Sequence, residues 1–194
     1  ESAMREGGEL VFVAVGANLG DREATFAAVV RAVEREGDLL LLGASTVYET
    51  DPIGPPGQDA YLNAVLGLKC WLSPLALLRR LQTIEAALGR DPARAQEQRW
   101  GPRTVDLDLL FFGERCIDLP ELSVPHPRAH ERAFVLMPLA ELAPSLVHPR
   151  LGVTIEQMLR SVLDTEGVRP WRRPHGWPGA RQDVGVAADP GMRE

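Results

Sequence analysis

Hydrophobic positions along the chain change period several times, and each change marks an element. Residues 10–15, LVFVAV, form a continuous apolar and β-branched run that predicts a buried strand. GANLGD follows as a turn, with Asp21 placed to cap a helix. Phe26, Val29, Val30 and Val33 then recur at i, i+3, i+4 and i+7, one helical face that stops at Gly37. A second strand is predicted over 39–48. The stretch TDPIGPPGQDA at 50–60 is too rich in proline and glycine for either regular state and reads as a loop.

A third strand is predicted over 62–72, where Leu62, Ala64, Leu66, Leu68, Cys70 and Leu72 fall on alternate positions. Ser73-Pro74 starts a second helix, cap then proline at the first turn, carrying Leu77, Leu81, Ile84 and Leu88 to a stop at Gly89. Residues 90–103 form a second long loop, and the fourth strand is 104–112. Further helices are predicted near 132–143 and 154–164, the latter opened by the capping box Thr154–Gln157. The order β-α-β-β-α-β predicts an α+β fold, a ferredoxin-like βαββαβ antiparallel sheet with extra C-terminal helices.

One domain over 10–164 accommodates all of these elements. Residues 1–9 read as a flexible leader, with Met4 a candidate natural start, and 165–194 show no periodicity and read as a loosely ordered tail. The 194 residues are 45% hydrophobic and 25% charged, the balance of a globular domain. No apolar run reaches membrane-spanning length and no secretory leader is read, so a cytoplasmic location without membrane contact is expected. Two cysteines, Cys70 and Cys116, make neither a disulfide framework nor a metal cage. The net charge of -6 argues against non-specific nucleic-acid binding, local patches aside. Lys69 is the only lysine in the chain, and no glycine-rich turn carries the lysine of a P-loop. Phosphates handled here must therefore meet arginine and metal.

The stretch RWGPRTVDLDLLFFG, residues 99–113, holds the most informative chemistry. Residues two apart on a strand share a face, so Val105, Leu107, Leu109 and Phe111 should point into the helix-covered core. Asp106 and Asp108 then point together to the opposite face. Two adjacent carboxylates repel, and one tends to take a proton unless a divalent cation sits between them. Rigid oxygen ligands of this kind suit Mg²⁺, which keeps its waters and shares a substrate phosphate. The bland alternative is a solvated strand face with two charges. Arg103 beside the pair, and Arg90, Arg94 and Arg99 in the preceding loop, tilt the reading towards phosphoryl transfer, where positioning and charge neutralisation dominate.

Those residues, with GANLGDR near the start, YLNAV at 61–65 and PHPRAHERAFVLMPLAELAP at 125–144, resemble the 6-hydroxymethyl-7,8-dihydropterin pyrophosphokinases of folate biosynthesis. The resemblance covers about 10–163 in order. It implies a diphosphotransferase that moves the terminal pyrophosphate of ATP to the pterin hydroxymethyl group and releases AMP. It further implies two Mg²⁺ ions held by Asp106 and Asp108, with Arg90 and Arg103 completing the catalytic set. By the same resemblance the pterin lies between Tyr61 and Phe134, with Asn63 reading the ring edge, Trp100 flanking, and the backbone around Thr50, Asp51 and Ile53 closing the slot. On periodicity alone Tyr61 and Phe134 read as core.

For ATP the matching positions are Gln82, Glu85, Arg90, Arg103, His126 and Arg132. Gln82 and Glu85 share a helix face that otherwise reads as solvated surface. His126 and His130 lack the further ligands of a zinc site, so His126 fits as a phosphate donor, and His130 and His148 as structural residues. Position 17 is alanine where many relatives carry serine, and the second phosphate-binding arginine of the loop stays open between Arg94 and Arg99. The loops 50–60 and 90–103 are expected to close over the bound substrates as lids. A monomer is expected. An ordinary kinase or a nucleotidyltransferase could use the same groups, and the products separate them: AMP here, ADP or free pyrophosphate otherwise. An RNA-binding sheet would need exposed aromatics and a basic face where Asp106 and Asp108 stand.

Overall fold

The computed structural model describes residues 7–18, 21–52, 57, 60–89, 105–162 and 165–179. In chain order the elements are β1 (Glu9–Ala17), α1 (Arg22–Glu34), β2 (Leu39–Ala44), β3 (Tyr48–Thr50), β4 (Tyr61–Cys70), α2 (Pro74–Leu88), β5 (Asp106–Phe112), β6 (Ile117–Asp118), β7 (Ser123–Val124), a 3-10 turn at Ala129–Glu131, α3 (Ala133–Leu142), α4 (Ile155–Ser161) and β8 (Val168–Pro170). Six strands form one sheet in the order β5-β1-β4-β3-β8, with β2 also paired to β4, and every pairing is antiparallel.

The sheet is covered on both faces. Phe26, Val29, Val30 and Val33 of α1 and Leu77, Leu81 and Ile84 of α2 pack on Val11, Val13 and Val15 of β1 and on Leu62, Ala64, Leu66 and Leu68 of β4. The opposite face carries Phe12, Val65, Leu110 and Phe111, packed beneath Val135, Leu136, Leu139 and Leu142 of α3 and Ile155 and Met158 of α4. Each fully buried side chain of this size stabilises the fold by about 1.5–3 kcal/mol relative to exposure. Helix starts follow the capping residues read from sequence. Asp21 accepts from Ala24 N at 3.0 Å and Ser73 from Ala76 N at 3.3 Å. The Thr154–Gln157 box closes in both directions, at 3.1 and 2.9 Å.

Four expectations are corrected. The strand expected over 39–48 is two strands, because at Ser45 a side chain replaces a backbone group: Ser45 Oγ accepts from Val65 N at 2.8 Å while Ser45 N donates to Val65 O. The alternation along β5 slips at Leu110. Phe12 pairs with Phe111 but Val13 pairs with Leu109, so a bulge puts Phe112, not Phe111, with Leu107 and Leu109 on the α1/α2 side. Glu9, expected in a loose leader, is the first residue of β1 and pairs with Arg115. The fourth concerns residues 165–179, which are not a loose tail. Val168–Pro170 adds β8 to the sheet beside β3, and Trp177 is 2% exposed, its ring 5.1 Å from Phe26 and its indole N–H on Ser45 O at 2.8 Å.

Candidate active site

The face of the sheet opposite α1 and α2 is covered only in part by α3, and one end of it stays open as a cleft of about 340 Å³. Its floor follows from the strand register. Asp106 lies across from Gly16, Gly16 from Asn63, and Asn63 from Tyr48, so these positions form one row across four strands. Asp108, Ala14 and Val65 form the next row. Residues directly paired share a face, which puts Asp106, Asp108 and Asn63 on the same side as Tyr61 and Thr50. The Asp106 and Asn63 positions are two strand spacings apart, about 10 Å.

Glycine and alanine in the middle strand keep that floor low. A Cβ at Gly16 would stand 3.4 Å from Asn63 Oδ1, so the glycine leaves the amide and the carboxylates facing one open space. Asn63 Nδ2 donates to Thr50 Oγ1 at 2.8 Å, which fixes the plane of the amide. Tyr61, 37% exposed, lines the cleft, and so does Phe134 at the start of α3. Tyr61 is not core, and Phe134 is only partly buried against the α3-side core, which corrects the reading from periodicity. The Arg132 guanidinium lies 5.7 Å over the Phe134 ring.

His126 enters from the segment after β7. Its backbone N–H donates to Leu110 O at 2.9 Å, docking it beside β5, and its Nδ1 accepts from Arg128 N at 3.2 Å. Burial pushes the imidazole pKa below the usual histidine value; nearby Asp108 opposes this, and Arg132 and Arg128 reinforce it. The ring is therefore held towards its neutral form near the carboxylates. Asp106 and Asp108 both point outward from β5 between buried neighbours. Among the described residues no group of three or more histidine, cysteine or acidic side chains converges. The donor set is two carboxylates on one strand face, a pattern that fits a hard, partly hydrated divalent cation and does not fit zinc. His148 is 4% exposed against Phe111 and belongs to packing, while the half-buried His130 lies 6.5 Å from its ring.

Nine residues singled out from the sequence thus line one cleft: Thr50, Asp51, Tyr61, Asn63, Asp106, Asp108, His126, Arg132 and Phe134. Gln82 and Glu85 do not line it. Gln82 is exposed on α2, and Glu85 Oε1 accepts from Leu107 N at 2.6 Å, gripping β5 between the two aspartates. Ile53, Arg90, Trp100 and Arg103, together with Arg94, Arg99 and most of both expected lid loops, lie outside the described residues.

Sequence reasoning missed the groups that hold β3. Glu141 of α3 accepts from Thr46 N at 2.8 Å and from the Tyr48 hydroxyl. Burial, reinforced by the hydrogen bond to that carboxylate and by its charge, drives the Tyr48 pKa far above the usual phenol value. Arg169 of β8 donates to Asp51 Oδ1 at 2.8 Å. The available signal was the pair Trp171 and Trp177, since two tryptophans within seven residues are seldom left to solvent.

Residues 12–144 match the family described as 7,8-dihydro-6-hydroxymethylpterin-pyrophosphokinase (HPPK). The chain is 38% identical over 167 residues to the 2-amino-4-hydroxy-6-hydroxymethyldihydropteridine pyrophosphokinase of Bacillus subtilis, covering 86% of this chain and 93% of that one. It is 47% identical over 139 residues to the enzyme of the same name from Pseudomonas aeruginosa, covering 72% and 83%. The wild-type HPPK-DHPS structure of Plasmodium falciparum is similar in fold, with a TM-score of 0.62 at 15% identity over 82% of this chain. This chain spans 45% of that longer protein.

Proposed function

The chain belongs to the 7,8-dihydro-6-hydroxymethylpterin-pyrophosphokinase family, and from that premise we propose how its cleft works. The reaction is transfer of pyrophosphate from ATP to the hydroxymethyl group of 6-hydroxymethyl-7,8-dihydropterin in folate synthesis, with AMP as the second product. The pterin hydroxyl oxygen attacks the β-phosphorus, and the bond from that phosphorus to the oxygen bridging to the α-phosphate breaks. AMP leaves with the bridging oxygen, and the proton of the attacking hydroxyl passes to solvent.

The single observation that carries the assignment of roles is the row Asp106–Gly16–Asn63. It sets the Asp106 carboxylate and an amide that reads a polar ring edge on one floor, about 10 Å apart, with Asp108 in the adjoining row. The pterin ring lies between Tyr61 and Phe134, with Asn63, Thr50 and the Asp51 backbone at its edge. Its hydroxymethyl group then extends along the floor towards Asp106 and Asp108, which hold Mg²⁺, two ions by the family pattern. When bound, the metal neutralises phosphate charge and lowers the barrier to attack. Arg132 and His126 meet the phosphates from the α3 side. Arg132 supplies a fixed positive charge there, and neutral His126 donates one hydrogen bond. Arg90, Arg103, Gln82 and Glu85 are proposed to bind ATP, with Trp100 and Ile53 closing the pterin slot.

The sheet order β5-β1-β4-β2 with α1 and α2 on one face supports the ferredoxin-like reading of the core. A monomeric, cytoplasmic enzyme without nucleic-acid partners is the accompanying proposal. The test is product analysis of ATP, Mg²⁺ and the pterin incubated with the protein. AMP and pterin pyrophosphate should accumulate one to one, and only when all three are present. ADP as the product would replace this reading with an ordinary kinase.

A further inference from the structure

We propose that Arg169 of β8 is a positioning residue for the pterin half of the cleft, acting through β3. The inference rests on the reading above, in which Thr50, Asp51 and Asn63 meet the pterin edge. Arg169 does not line the cleft. It stands directly across from Glu49 in the β3–β8 pairing, on the face of β3 opposite Thr50. Its guanidinium forks between Glu49 of that strand and Asp51 just past its end, Nη1 donating to Asp51 Oδ1 at 2.8 Å and Nη2 to Glu49 Oε1. Without it, Glu49 and Asp51 would face each other two residues apart as like charges, at the strand end where the cleft begins.

The backbone makes the same connection. Thr50 pairs with Val168 and Tyr48 with Pro170, Asp51 N donates to Gly167 O at 2.9 Å, and Trp171 N donates to Val47 O at 2.7 Å. Gly167 has φ +75°, a conformation that favours glycine, and a Cβ there would crowd Asp51 Oδ2 at 3.0 Å. β3 is only three residues long, so few contacts determine where Thr50 sits. Glu141 restrains its Tyr48 end and Arg169 its Asp51 end. From Thr50 the restraint passes to the site itself, because Thr50 Oγ1 accepts the Asn63 amide at 2.8 Å. β8 is in turn anchored by Trp171, whose indole N–H reaches Glu23 Oε1 at 3.3 Å, and by buried Trp177. The chain beyond 165 thus carries a strut whose far end is the pterin-reading amide.

The experiment compares the full chain with Arg169→Ala, Arg169→Lys and Gly167→Ala. Measured are KM for pterin and for ATP, kcat, thermal midpoint, and amide exchange at Thr50 and Asp51 in the free protein. Arg169→Ala should raise KM for the pterin about fivefold, the scale of an exposed bidentate pair, with kcat and the ATP KM within about twofold. Exchange at Asp51 should accelerate. Arg169→Lys should recover part of the loss, since an ammonium keeps the same single positive charge beside the pair but cannot fork between both carboxylates. Gly167→Ala should reproduce the pterin-selective defect. An unchanged pterin KM with unchanged exchange overturns the proposal. So does equal weakening of both substrates in step with a fallen thermal midpoint, which would mark a purely structural residue. If the wild-type protein forms no AMP, the functional reading fails, while exchange at Asp51 still scores the strut.

Discussion

Replacing Trp177 with alanine removes the bulkiest of the fully buried side chains, and the structure allows its cost to be worked out. The indole is 2% exposed, packs its ring 5.1 Å from Phe26, and donates to Ser45 O at 2.8 Å. Truncating a buried tryptophan costs about 3–5 kcal/mol through lost transfer energy and the cavity left behind. Set against a domain stability of about 5–15 kcal/mol, that is a large fraction. The thermal midpoint should fall by about 2–4 °C for each kcal/mol in a chain of this size. Trp177→Phe separates the contributions. It keeps most of the ring contact and strips the donor from Ser45 O, so it should cost about 1–2 kcal/mol. The assay is urea unfolding followed by circular dichroism, with the slope checked so that a change in midpoint reports stability. A loss below about 0.5 kcal/mol for Trp177→Ala would refute the argument. It would mean that residues 165–179 do not dock on the core and that β8 contributes nothing to the sheet.

Three other outcomes are expected. Asp106→Asn or Asp108→Asn should lower kcat by about a hundredfold or more with Mg²⁺ present, as expected when transition-state charge stabilisation is removed. The apo thermal midpoint should hold or rise, because each change relieves a like-charge pair; a marked fall would assign the pair a structural role. Phe134→Ala should weaken pterin binding by about five- to tenfold, the worth of one aromatic stack, while Phe134→Tyr retains it; calorimetry with the pterin decides. Finally, His126 and His148 both have pKa values pushed down, chiefly by burial. The unfolded chain therefore binds more protons than the folded one as pH drops below about 6.5, the ordinary histidine value. The stability these rings contribute is complete above that pH and is lost as pH falls through their lower folded values. A His126→Gln variant should show a shallower loss of urea midpoint between about pH 7 and pH 5 than the wild type, if burial of the imidazole is the cause.

By itself the sequence determined whatever depends on neighbours along the chain. The period of the apolar residues predicted α1, α2 and the long central strands, and the capping residues Asp21, Ser73 and Thr154 each sit at a helix start. The D-x-D spacing was enough to put Asp106 and Asp108 on one face, because a strand alternates with period two whatever surrounds it. Tertiary structure decided what depends on register. Only strand pairing places Gly16 between Asp106 and Asn63, residues 43 apart in sequence, and so makes a floor from three separate strands. The bulge at Leu110 has no local signature; it moves Phe111 to the α3 face, where Phe12 and Leu136 bury it. Tyr61 and Phe134 looked like core because an aromatic ring carries the same sequence pattern whether it meets leucine or a ligand. What distinguishes them is the part of the sheet that α3 leaves uncovered. Residues 165–179 looked loose because a three-residue strand has no measurable period, and its order comes from β3, Phe26 and Ser45, all more than a hundred residues away in sequence.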